Sequence, residues 1–155
     1  MTSLDIALLQ WTTYNKRMQK VFDNLDAGKF KTPIFPGGNS PSWIMGHLVD
    51  TDDRLLEVLG ISKRLYPDLS TIYHGDLATN QQGNLDSVEL QKRWQAILAK
   101  FDTALKGWSE ADWLGPHTAV SAEDFKKEPH RNKLNVIMSR VSHKASHLGQ
   151  IAMMK

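Results

Sequence analysis

The chain contains no cysteine. That excludes disulfides, thiolate metal ligands and a cysteine nucleophile, so any metal ion must be held by His, Asp or Glu. It has no window near the roughly 18 consecutive apolar residues that a membrane-spanning helix needs. The opening stretch MTSLDIALLQWTTYNKRMQK lacks a basic region ahead of an apolar run and does not read as a secretory signal. The expectation is a cytoplasmic protein with no membrane partner. A dominant charge is missing too: 19 Lys and Arg face 17 Asp and Glu. The short basic clusters SKR (62–64) and FKK (125–127) read as solvated surface, which argues against a nucleic-acid partner. No Glu-x-x-His pair of the di-metal bundles is present, and no His-Glu-x-x-His of the zinc proteases. FPGGNSPS has neither the flanking strand nor the lysine of a phosphate loop, and no nucleophile elbow occurs.

What remains is 155 residues, 41% of them hydrophobic, which suits one domain spanning 1–155. Four helices stand out. Leu4, Leu8, Trp11, Asn15, Met18, Phe22 and Leu25 form one seam of an amphipathic helix, ended by AGK near Gly28. After the Pro- and Gly-rich loop FKTPIFPGGNS, a second helix opens with Ser40 as N-cap and Pro41 at N1 and runs to Gly60. A connection over about 61–85 shows no sustained period. The third helix starts at Asp86, with Glu89 placed for a capping box, and carries Leu90, Trp94, Ile97, Leu98, Phe101, Leu105 and Trp108. SEADWLGP and SAEDFKKEP each suit a helical turn or two, stopped by Pro116 and Pro129, and the last helix runs from about Asn132 onward. The fold class is all-α, a four-helix bundle.

His143 and His147, in HKASHLGQ, lie four residues apart on the last helix. At about 100 degrees per residue they share a stripe on the shoulder of that helix's apolar arc. His47 holds the matching position on the second helix, beside Ile44, Leu48, Leu55 and Leu59. These depths along the helices overlap only if the second and fourth run antiparallel. That needs a long crossover between the second and third, which the 61–85 segment is long enough to supply. Three imidazoles could then meet beside the core and still be reached from solvent.

SWIMGHLVDTDDRLL on the second helix and VSHKASHLGQIAMM on the last resemble the DinB-like metal-binding proteins. In that family a histidine in a small-residue-His-Leu context pairs with a later His-x-x-x-His followed by Gly-Gln-Ile. The resemblance spans essentially the whole chain. It implies an up-down-down-up bundle that binds one divalent ion, often zinc or nickel, through His47, His143 and His147. It also implies a small-molecule substrate and, commonly, a homodimer. Some members are S-transferases or isomerases with a low-molecular-weight thiol as cosubstrate, and others are hydrolases. Both uses suit a three-His site with an open position. A non-catalytic metal sensor, or a scaffold that holds no metal, remains open.

Asp50, one turn after His47, is a candidate acceptor for an imidazole N–H, or else a surface partner of Arg54. It is the sole carboxylate near the motif with a prospect of a catalytic role. Gly46, in mid-helix, suggests close approach of a neighbouring element. Trp43, Trp94 and Trp108 read as core, and Trp11, Tyr73 and Trp113 as candidates to line a pocket. His74, His117 and His130 lie in loops and are not expected to ligate.

Overall fold

A computed structural model describes residues 1–74 and 85–154. Among them are eight helices and no strand: α1 (Ser3–Asn24), α2 (Ala27–Lys31), α3 (Pro41–Val58), α4 (Leu69–Tyr73), α5 (Ser87–Gly107), α6 (Glu110–Leu114), α7 (Ala122–Lys127) and α8 (Lys133–Ala152). The four long ones are the four expected from periodicity, and they form an all-α bundle.

Local chemistry sets their ends. Thr2 and Asp5 exchange side-chain and backbone hydrogen bonds at the start of α1, a reciprocal capping box. Ser40 caps α3 with Pro41 in its first turn, and Asn132 caps α8. Gly60 ends α3 at a φ of 70°, while its N–H and that of Ile61 donate to the carbonyls of Glu57 and Leu56. A side chain would be strained there. Asp86 caps α5 as expected, but Glu89 does not reach back to it. Its carboxylate instead takes Arg93 at 2.7 Å, so the cap is one-sided.

Two boundaries differ from the sequence reading. α1 stops at Asn24, before Gly28, because Asp26 starts α2 by accepting from the N–H of Lys29. The 61–85 connection contains α4, whose five residues are too few to display a period. Residues 75–84 of that connection lie outside the described residues.

α3 packs against α2, α4, α5 and α8, while α1 packs against α8 and α5. The core runs through all four long helices, with Trp11, Met18, Leu48, Leu55, Trp94, Phe101 and Ile137 among its buried members. Trp11 meets Phe101 and Phe22 meets Trp94, so paired positions ascend α1 as they descend α5. On α3 and α8, His47 approaches His143 while Val58 and Val136 line the same cavity farther along. These pairings agree with an antiparallel α3 and α8, the arrangement that the histidines require.

Because α3 is surrounded, a single apolar stripe understates its burial. Ser42, Asp50, Thr51, Asp52 and Asp53 are all buried alongside its apolar residues. Among the described residues no helix is long and apolar enough to cross a membrane.

Candidate metal centre

His47 from α3 and His143 and His147 from α8 meet at the edge of the bundle. The Nε2 atoms of His47 and His143 lie 3.2 Å apart, and those of His143 and His147 lie 3.1 Å apart. One ligand atom from each residue falls within 4.8 Å of the others, and all three side chains are half-buried. Tetrahedral coordination with bonds of about 2.0–2.1 Å would set neighbouring nitrogens about 3.3–3.4 Å apart. The observed spacing is close to that.

The neighbours orient two of the rings. The Nδ1–H of His47 donates to the backbone carbonyl of Tyr73 at 3.0 Å. The Nδ1 of His147 lies 2.9 Å from the amide oxygen of Gln150 and donates to it. Both bonds put the proton on Nδ1 and leave the Nε2 lone pair directed inward, as a ligating imidazole requires. Trp43, one turn before His47, stacks on its ring with centroids 5.1 Å apart and planes 6° from parallel. The third ring differs: Arg140 Nη1 lies 3.2 Å from His143 Nδ1 and can only donate to it. For His143 to present its Nε2 lone pair, Arg140 must move off that nitrogen.

Burial favours the neutral form of His47 and His143. It lowers the pKa of His47, against a raising effect from the Tyr73 carbonyl. It pushes His143 down to about 3, with His147, Arg140 and His47 adding like-charge repulsion. Neutral imidazole is the form that binds a metal ion. The residues therefore fit one ion held by three nitrogens.

Asp50 is not the imidazole's acceptor. It is fully buried, and its Oδ1 takes Arg64 Nη2 at 2.6 Å and the Ser70 hydroxyl at 2.8 Å. Nor does it pair with Arg54. His47 finds its acceptor in the backbone of α4 because that helix is held against α3. Arg64 Nε donates to Asp53 at 2.9 Å, and the N–H groups of Leu65 and Tyr66 donate to the same carboxylate. Arg64 Nη1 also donates to Ser70 at 2.6 Å. This network pins the segment after α3 and so fixes the Tyr73 carbonyl against His47. Gly46 completes the fit, since a Cβ there would overlap the Tyr73 ring. Tyr73 is buried, its hydroxyl accepts the N–H of Leu85, and burial pushes its pKa up to about 12.

A second buried group lies between the two α8 histidines. Lys144 is fully buried; its Nζ bonds Asp52 at 2.7 Å and Asn15 Oδ1 at 2.6 Å, and sits 3.9 Å from the centre of the Trp11 ring. Burial lowers its pKa while Asp52 opposes the shift. Asp52 also accepts the indole N–H of Trp94 at 3.2 Å. The cluster ties α1, α3, α5 and α8 together behind the histidines. The sequence carried a signal for it: Lys144 sits about 100 degrees from His143, inside the apolar arc of its own helix.

The other aromatic candidates lie elsewhere. Trp11 borders a cleft between α1 and α5, and Trp113 one near the start of α1. Trp43 and Trp94 are buried as expected, whereas Trp108 is only partly buried, against Trp113. His117 and His130 stand away from the three-His cluster. His74 does not join the cluster either, but it lines the adjoining cavity of about 310 Å³. Leu55, Val58 and Val136 give that cavity an apolar wall, and His47 and His143 open onto it.

The DinB superfamily profile matches residues 10–151. The chain belongs to the DinB superfamily. The match takes in α3 and α8 as far as Ile151, with all three histidines. A comparison with curated proteins finds no match. This DinB-superfamily chain thus groups His47, His143 and His147 in an arrangement that could hold a metal ion.

Proposed function

We propose that this DinB-superfamily protein binds one divalent ion, zinc or nickel, through His47, His143 and His147, and works as a small-thiol-dependent S-transferase on a small molecule. The observation that carries the reading is the approach of three Nε2 atoms from two helices to near ligand spacing. Three protein ligands leave a position for an exogenous one. Such an ion, when bound, supplies Lewis acidity that lowers the pKa of a thiol or water placed against it.

The chain's own residues do the rest. Burial favours the neutral form of His47 and His143, and the Tyr73 carbonyl and Gln150 amide hold His47 and His147 in the ligating tautomer. Leu55, Val58 and Val136 limit water on one side of the cavity. With no cysteine in the chain, no protein thiolate competes for the ion.

Hydrolysis is the alternative, and one feature weighs against it. No carboxylate is among the described residues lining the cavity, and Asp50 Oδ1 accepts from Arg64 and Ser70, so no carboxylate base for water borders the cavity among the described residues. A homodimer in the cytoplasm completes the proposal.

The test is elemental analysis of untagged protein, joined to a turnover screen. The account expects about one ion per chain and near-complete loss in His143→Ala; wild-type metal in that variant would refute the site. Turnover of electrophiles only with a small thiol supports the transferase. Ester or amide cleavage without thiol would make the protein a hydrolase. No turnover at full metal content would count against both reactions and favour a non-catalytic metal sensor.

A further inference from the structure

The cavity beside the histidines has a charge pattern that the metal reading does not use. Arg54 from α3 and Arg140 from α8 both line it, together with His74. Among the described residues neither arginine forms an ion pair. Arg54 Nη1 instead contacts the ring nitrogens of His74 at 2.9 and 3.2 Å, and Arg140 Nη1 contacts His143. Arg140 Nε is buried with no hydrogen-bond partner. Leaving such a donor unpaired is costly.

Burial lowers the pKa of Arg140, and the Arg54 charge lowers it further, against opposing pulls from Asp52 and Asp50. Two like charges thus border one cavity, and no carboxylate lines it among the described residues. The neighbouring Arg64 shows what the fold does where it wants an arginine neutralised: it supplies Asp50 and Asp53 at 2.6 and 2.9 Å. Arg54 and Arg140 receive no such partner among the described residues.

We propose that Arg54 and Arg140 form an oxyanion-recognition subsite, so that the small molecule bound beside the three histidines carries a carboxylate or phosphate group. A guanidinium offers a planar fork of donors to either group, and Arg140 has an unused donor to give. The apolar wall of Leu55, Val58 and Val136 suits a short hydrocarbon body attached to the charged end. An anion that draws Arg140 towards the cavity also draws it off His143 Nδ1, the one contact at odds with a ligating imidazole. This inference rests on the metal reading for the placement of the reacting end, and on the arginines alone for the anion.

The test is isothermal titration of the full chain, both metal-loaded and chelator-treated, with inorganic phosphate and separately with succinate. Metal content is measured on the same samples. Wild-type protein should bind at least one of the two anions, and the stronger one identifies the class. Arg54→Gln and Arg140→Gln should each weaken binding at least tenfold, with Arg140→Lys in between, because it keeps charge but loses the fork. Arg54 is exposed, so its variant carries the test if Arg140→Gln folds poorly. No binding of either anion by the wild type, or equal affinity in wild type and both glutamine variants, would overturn the proposal. Arginine-dependent binding by a protein that takes up no metal would sustain the subsite and refute the metal reading instead. A full complement of metal with no arginine-dependent binding would do the reverse.

Discussion

Replacing Gly46 by alanine tests the packing behind the site, because two physical effects oppose one another in sign. In an unobstructed helix interior the change stabilises by about 1 kcal/mol, as alanine loses less backbone entropy. Here the added methyl would fall on the Tyr73 ring, at Cε1 and Cζ. That ring is fully buried and cannot move without disturbing the Leu85 N–H bond to its hydroxyl. Overpacking of this kind costs about 1–3 kcal/mol, and a lost hydrogen bond about 1 more. After the helix gain is subtracted, the net loss is about 1–3 kcal/mol, or roughly 2–12 °C in Tm for a chain of this size. Urea unfolding of chelator-treated protein would measure it without the contribution of bound metal. In a Tyr73→Ala background the ring is gone, and the same methyl should stabilise. A Gly46→Ala protein as stable as wild type, or more so, would show that α4 is not seated against α3 as described.

Two further outcomes follow from the site's supports. Lys144→Met should cost about 3–5 kcal/mol in urea unfolding, because it leaves the Asp52 carboxylate buried without its cation. A loss below about 1 kcal/mol would contradict a buried pair. Gln150→Ala removes the acceptor for His147 Nδ1 and should weaken metal affinity about 10–100-fold in a chelator competition, with little change in metal-free stability. Unchanged affinity would mean that the His147 ring is held by something else.

The histidine trio was legible because its signal is local and repeated: an i, i+4 pair on one helix and a third histidine at the matching shoulder of another. The bundle was legible from the same periodicity. Gly46 as a point of close approach was legible too, though not which element would approach. What sequence could not show depends on neighbours brought in by the fold. Asp50 looked like a partner for His47 or Arg54, both one turn away, yet Arg64 reaches it from the loop beyond the helix. Nothing in the sequence marked Asp52 and Asp53 as buried, because the periodicity of α3 shows one apolar side whereas four helices surround it. Lys144 was the missed clue, since a lysine inside an apolar arc demands a buried counter-ion. Arg54 and Arg140 stand out only when the cavity between α3 and α8 is assembled and no carboxylate is found along it among the described residues.

The central claim is that three imidazoles from α3 and α8 share one cation. X-ray absorption on untagged, zinc-reconstituted protein reads the shell directly. The account predicts three imidazole nitrogens at about 2.0–2.1 Å plus one exogenous ligand such as water. In His47→Ala that shell should fall to two or be lost. A shell dominated by carboxylate oxygens, or one unchanged by His47→Ala, would contradict it.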